Sequence, residues 1–539
     1  MENVLPLQRN RSARRLRLTS LLRASAPTLS EWLLAASTVV LIVSAFPDFN
    51  LWPLAWLGFV PLILAVCRRP HGGRAFLLGW ATGTLFFWAS CFWVTYSMIR
   101  YGRIPVFVAY IMLLLAALVL GLFPATCMWT LARSVKRWGV GRALLVLPFA
   151  WAAFEWVRLG VTGQLWNAIG YSQAYVVPLI QTARWGGVYM VGFFILIVNA
   201  IVAYVLLKPS KRSLLIALSI LGIVAATLSL SATQPARENV TNSPSAVLIA
   251  VQPNVPMEQG RSIEEDAELV NRHLVLSERA LQELKDNHEQ LPRLVVWPES
   301  PMYFSYARDA QLREMIADFT TRNRTSLLFN SNEPAPAGGS YNSAVMIDEQ
   351  GRLVAQYDKI RLLPFGEYVP LPRWLPGAGL VSALVGDFTP GAIYTLLPAG
   401  EARTGVFICF ESAFPTVARS FTGAGADVLI NISNDGYLGR TPVLRQHLAN
   451  TVFRAVENRR PVLRVTNTGI TAHISARGEV TDATGSFETA TRIWTINRSA
   501  ENTTFYTKHG DAFAGLCGAV SLLALAATFR RAKVEGATT

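Results

Sequence analysis

The stretch Thr404-Gly405-Val406-Phe407-Ile408-Cys409-Phe410-Glu411-Ser412-Ala413-Phe414-Pro415 decides the fold of the polar half of this chain. An apolar, partly β-branched run stops on a cysteine, and a polar, helix-compatible stretch follows. That order reads as a strand-to-helix elbow, the turn that presents a nucleophile at a strand end. A buried core cysteine is the competing reading, because free cysteine is among the most buried residue types. Cys409 is the only one of the five cysteines outside a membrane-length apolar run, so its own region offers it no disulfide partner.

Around this elbow, from about 239 to 502, short apolar runs alternate with amphipathic stretches and Gly/Pro turns. Runs at 246–251, 294–297, 326–330, 406–409 and 428–431 read as strands, and 262–287 and 310–323 as helices. Several strand runs lack the every-other-residue polar pattern. They predict sheets buried on both faces and covered by helices, an α/β domain.

The rest of the chain is of another kind. Of 539 residues 52% are hydrophobic and only 16% charged, too apolar for an ordinary soluble enzyme of this size. Apolar runs near the roughly 20 residues needed to cross a bilayer recur at 30–47, 51–67, 75–97, 105–131, 143–159, 183–207, 213–231 and 512–529. The fifth carries Glu155 and Arg158, read as an ion pair or a functional pair. Arginine and lysine crowd every second loop: Arg9 to Arg23, Arg68 to Arg74, Arg133 to Arg142, Lys208 to Arg212, and Arg530 to Lys533. That alternation predicts eight crossings from a cytoplasmic N-terminus, with the α/β domain on the outer face. The expected layout is a basic cytoplasmic segment (1–29), seven spans (30–232), the α/β domain (239–502), a last span (511–529) and a cytoplasmic tail (530–539). The Arg-rich start reads as a retained orientation signal. The net charge of +14 is thereby explained by topology and does not call for nucleic acid. No metal-ligand spacing appears among the six histidines and Cys409, and no cofactor is expected.

Two more residues bear on chemistry. Glu299 follows directly on the strand run Leu294-Val295-Val296-Trp297-Pro298, where a partly desolvated carboxylate suits the work of a base. Lys359 lies in Gln356-Tyr357-Asp358-Lys359-Ile360-Arg361. Taken singly, a capping or ion-paired Glu and a solvated loop Lys explain them equally well.

Together, a strand-end Glu, a Lys and an elbow Cys in this order resemble the catalytic set of the nitrilase, or carbon–nitrogen hydrolase, superfamily. Val296-Trp297-Pro298-Glu299, Tyr357-Asp358-Lys359, Pro364-Phe365-Gly366-Glu367-Tyr368-Val369-Pro370, Ile408-Cys409-Phe410-Glu411 and the run 458–470 resemble the apolipoprotein N-acyltransferases. The resemblance implies a polytopic α-helical membrane domain joined to a nitrilase-like αββα sandwich. It implies Glu299 as general base, Lys359 as catalytic lysine and Cys409 as nucleophile, with Glu367 and Glu411 as supporting carboxylates. Phe410 stands where many members have Tyr, and 433–439 replaces a version usually carrying Ala-Trp-Phe. The tryptophan usual after 251–256 is missing. The implied reaction moves a fatty acyl chain from a phospholipid to the α-amino group of a diacylglyceryl-modified apolipoprotein by a ping-pong route through a thioester. The implied place is a bacterial inner membrane with the catalytic domain periplasmic, and a monomer suffices.

The apolar, Gly/Pro-broken insertion 371–385 reads as a lid or lipid-facing loop through Trp374 and Leu380, with Tyr437 as a further substrate contact. The outer loop 164–171 reads as an interfacial floor. A membrane-tethered amidase is the competing enzyme, and a transporter or scaffold with a nitrilase-like sensor domain the competing non-enzyme.

Overall fold

Strand β1 (Ala246–Gln252) is buried along its whole length, and its two faces meet different partners. In the computed structural model, which describes residues 26–233, 244–257, 262–284, 291–300, 304–336, 338–364, 366–368, 388–499 and 503–529, Val247, Ile249 and Val251 join a core with Leu274, Ile316 and Phe319 of two covering helices. Leu248 and Ala250 point the other way, into the core shared with a second sheet. The continuous apolar run is therefore what a strand covered on both sides requires.

The remaining strands are β2 (Arg293–Val296), β3 (Ser326–Pro334), β4 (Ser340–Ile347), β5 (Leu353–Asp358), β6 (Leu396–Ala399), β7 (Ala402–Ile408), β8 (Val428–Ser433), β9 (Val462–Thr466), β10 (Ala472–Ile474), β11 (Val480–Thr481) and β12 (Ala490–Ile496). They form two six-stranded sheets, ordered β12-β1-β2-β3-β4-β5 and β11-β10-β9-β8-β7-β6. Helices Ile263–Glu283 and Ala310–Asn323 cover the first sheet; Pro415–Gly423 and Val443–Asn458 cover the second. This is the expected αββα sandwich. Ser262 opens the first helix with a capping box, its hydroxyl accepting from the Glu265 N–H while the Glu265 carboxylate accepts from its own N–H.

The N-terminal half and the last segment are apolar helices with outward-facing leucines, among them Leu115, Leu215, Leu522 and Leu523. By length and composition four described helices can cross a membrane: Val106–Thr162, Ala183–Leu207, Lys211–Thr233 and Ala512–Phe529. A fifth is counted if Gly72–Ser90 and Val94–Arg100, bent by 54°, make one span. The eight expected spans are divided differently among these helices. Expected spans 105–131 and 143–159 share one 57-residue helix, which at about 1.5 Å per residue is far longer than a bilayer. Gly139, with φ 78° and ψ 170°, breaks it between the two. The first two expected spans are the shorter apolar helices Leu29–Ala45 and Trp52–Arg68.

The two halves meet along the helix Val443–Asn458, which is buried on nearly every side. Gln446 spends its whole amide on this junction. Its Oε1 accepts from the indoles of Trp93 (3.1 Å) and Trp166 (3.0 Å), and its Nε2 donates to the carbonyls of Pro47 (3.2 Å) and Ser90 (3.1 Å).

Candidate active site

Within each sheet the central strands run parallel, β1, β2 and β3 in one and β7, β8 and β9 in the other. Their carboxyl ends open on a common edge, the usual place for a site in such sheets. Glu299 lies just beyond β2, Lys359 directly after β5, Cys409 directly after β7 and Asn434 directly after β8. Asn467, after β9, fastens this edge: its Oδ1 accepts from the Val255 N–H (2.7 Å) and its Nδ2 donates to the Val255 carbonyl (2.9 Å).

Cys409 has φ 52°, a left-handed conformation uncommon outside glycine. It starts a short helical turn, Cys409–Ala413, so the elbow read from sequence is present. Strain of this kind gathers at functional sites.

Lys359 is 1% exposed. Its ammonium stands 2.8 Å from Glu367 Oε1 and 3.5 Å from Glu299 Oε1. Asn342 on β4 donates Nδ2 to the same two oxygens, at 3.1 Å to Glu299 and 2.7 Å to Glu367. Its own Oδ1 accepts from Asn330 (2.7 Å). One amide thus spaces both carboxylates around the lysine. The second oxygens accept backbone N–H groups, Asn434 on Glu299 (3.1 Å) and Leu363 on Glu367 (2.7 Å).

Burial disfavours the Lys359 cation, yet Glu367, Glu299 and the Cys409 sulfur outweigh it and hold its pKa above the ordinary lysine value. The cysteine goes the other way from what a nearby lysine alone would do. Burial pushes the Cys409 thiol up, the Glu299 charge pushes it further, and Lys359 opposes without prevailing. A thiol whose pKa is pushed up needs a base before it can act as a nucleophile.

Glu411 is wholly buried and accepts four hydrogen bonds: Tyr357 OH (2.8 Å), Ile360 N–H (2.9 Å), Arg361 N–H (3.0 Å) and Ile408 N–H (2.8 Å). It ties the strand end before Cys409 to the turn after Lys359. Burial raises its pKa against those donors.

A second buried network lies beneath the elbow and was not read from the sequence. Asp435 accepts from Arg464 (2.7 Å) and meets His447 Nδ1 (2.8 Å), while His447 Nε2 lies 3.0 Å from the Cys409 carbonyl oxygen. Arg464 also donates to Asn431. Burial would raise the Asp435 pKa, but Arg464 and His447 hold it well below the usual carboxylate range. The available signal was Arg464 itself, a cation inside the apolar strand run Val462-Leu463-Arg464-Val465; such a charge needs a buried partner.

Phe410 lies on the junction, its ring stacked on Trp166 at 5.6 Å and 15°. The loop 164–171 is thus buried under the elbow, where Leu165, Trp166, Asn167 and Ala168 are all nearly inaccessible. Glu155 and Arg158 hold this loop and make no ion pair within 4 Å: Glu155 accepts from the Ile169 N–H (2.8 Å) and Arg158 donates to the Trp166 carbonyl (3.0 Å). Tyr437 also meets the helical half, its carbonyl accepting from Ser97 (2.6 Å) and its ring lying 5.5 Å from that of Tyr101. Trp374 and Leu380 lie outside the described residues. Among the described residues no cluster of His, Cys, Asp and Glu could hold a metal ion.

Residues 38–201 match the family model of the apolipoprotein N-acyltransferase N-terminal domain, and residues 251–504 match that of the carbon-nitrogen hydrolases. A protein of Geobacter metallireducens named apolipoprotein N-acyltransferase is 32% identical, over 94% of this chain and 96% of its own. Proteins of the same name from Chlorobaculum tepidum (28%, over 94% and 96%) and Brucella suis (31%, over 81% and 84%) are also similar. The chain is an enzyme and belongs to the apolipoprotein N-acyltransferase family.

Proposed function

We propose that this enzyme moves a fatty acyl chain from a phospholipid to the α-amino group of an apolipoprotein's N-terminal diacylglyceryl-cysteine, through a thioester on Cys409. The observation that carries this reading is the Lys359 ammonium held between Glu299 and Glu367 beside the half-buried Cys409. Glu299 takes the thiol proton as sulfur attacks the ester carbonyl. Lys359 and the Phe410 N–H stabilise the oxyanion, a type of contact worth about 3–4 kcal/mol per donor. The intermediate expels the lysophospholipid alkoxide, which recovers the proton from Glu299.

In the second half the acceptor amine, whose free pKa is about 8, attacks the thioester carbonyl. Glu299 receives its proton and returns it to the departing sulfur, leaving an amide and the resting thiol. A thioester is activated towards amines, which makes cysteine a better carrier here than serine. Two substrates using one site in turn give ping-pong kinetics.

The segments 30–232 and 511–529 lie in the bacterial inner membrane and 239–502 on its periplasmic face, with 1–29 and 530–539 cytoplasmic; the alternation of basic loops supports this orientation. A monomer performs the reaction. Holding the site at the bilayer surface avoids taking acyl chains into water, at about 0.8 kcal/mol per methylene.

The test is the intact mass of the purified protein after incubation with phospholipid and no acceptor, beside Cys409→Ala. An acyl adduct that needs Cys409 and leaves when a diacylated lipopeptide is added is expected. An adduct lost equally fast to water would make the protein a hydrolase.

A further inference from the structure

On the side of the helical half away from the catalytic sandwich, a cleft of about 570 Å³ opens between the helices Val106–Thr162, Ala183–Leu207 and Lys211–Thr233. That volume is in the range of ligand sites. Its wall is apolar at one end and cationic at the other. Phe149 and Phe193, edge to face at 4.9 Å, line the deep end with Ile220. Arg142, Arg212 and Tyr204 line the mouth. The Tyr204 ring rests on Gly141, where a Cβ would already be in contact at 3.4 Å.

The dimensions match one leaflet. From Phe193 to Tyr204 the helix rises by roughly 16 Å at 1.5 Å per residue, about half of the ~30 Å hydrocarbon core. At the other end of the third helix the Ala232 carbonyl accepts from Arg477 of the catalytic sandwich (2.7 Å). Arg212 is therefore roughly 30 Å along the same helix from that contact. The cationic mouth belongs to the leaflet opposite the catalytic site, so its occupant is not the acyl donor reacting at Cys409.

The occupant must be an anion with an apolar body. The side chains of Arg142 and Arg212 are exposed and make no hydrogen bond or ion pair among the described residues. Both ends of the chain are themselves net cationic, 1–25 carrying Arg9, Arg11, Arg14, Arg15, Arg17 and Arg23 against Glu2, and 530–539 carrying Arg530, Arg531 and Lys533 against Glu535. We infer that this cleft binds an anionic glycerophospholipid from the far leaflet, its phosphate between Arg142 and Arg212 and its chains along the Phe149–Phe193 wall. Basic pockets between membrane helices hold acidic headgroups by this chemistry.

The experiment uses the full-length protein in detergent with equimolar dialkyl-ether phosphatidylglycerol and dialkyl-ether phosphatidylcholine, whose ether chains the enzyme cannot transfer. Native mass spectrometry should show one retained lipid with at least about tenfold preference for the anionic class. Arg142→Gln/Arg212→Gln should abolish the preference, and Ile216→Trp, at an exposed position on the cleft wall, should block retention while acyl transfer persists. Equal retention of both lipids, or an anionic preference that survives both variants, would overturn the assignment.

Discussion

The indole of Trp166, carried by the apolar-helix half, lies parallel to the ring of Phe410, the residue that follows Cys409, at 5.6 Å. The same indole donates to Gln446, so the elbow rests on a side chain from the other half of the molecule. Removing a buried tryptophan costs about 3–5 kcal/mol. Trp166→Ala should lower the thermal midpoint in detergent and slow acylation of Cys409. Acylation at the wild-type rate would show that the elbow holds its shape unaided.

Glu299 has two opposed effects on Cys409. It is the proposed base, and its charge also pushes the thiol pKa up. Glu299→Gln should slow acyl transfer by about 10²–10⁴-fold, the usual worth of a general base. It should also let a small neutral alkylating agent reach the thiolate at lower pH. A rate–pH profile of alkylation separates the two effects, and a profile moved to higher pH would contradict this electrostatic account.

Asp435→Asn leaves the fully buried guanidinium of Arg464 without its counter-charge. Breaking a buried pair from one side costs about 3–5 kcal/mol. In the wild type, stability from Asp435 is present above the unfolded carboxylate pKa and is lost as pH falls from there through its depressed folded pKa. The variant should be less stable at neutral pH, and its deficit should shrink in acid. A deficit independent of pH would argue for packing alone.

His273, on the helix Ile263–Glu283, is buried against Trp297 at 5.0 Å, and burial lowers its pKa to about 4. The folded protein keeps it neutral, while the unfolded chain protonates it below about 6.5. This contribution is fully present above 6.5 and declines as pH falls towards 4, by about 3 kcal/mol in all. His273→Phe should flatten the stability profile across that window, as thermal midpoints at pH 7, 6, 5 and 4 would record. An unchanged slope would place the acid sensitivity elsewhere.

Some of this architecture was legible because it depends on neighbours in sequence. The unbroken run at 246–251 required cover on both faces, and the stop at Cys409 marked an elbow. Asn342 was invisible, since an asparagine in a strand signifies nothing until β4 is set beside β3 and β5 and both carboxylates converge on it. Glu411 was expected near the site, but its part as a bracket follows from four donors drawn from two separate segments, 357–361 and Ile408. Hydropathy placed a break between 131 and 143, where Gly139 interrupts the long helix, but it could not show the 54° bend after Ser90.

Gln446 and His447 are consecutive residues facing different worlds. One is bonded to indoles and carbonyls of the apolar helices, and the other touches the Cys409 carbonyl. A lever with so short an arm has almost no give. The apolar helices and the residue that carries the sulfur are therefore joined through a single peptide unit and the hydrogen bonds at each end of it.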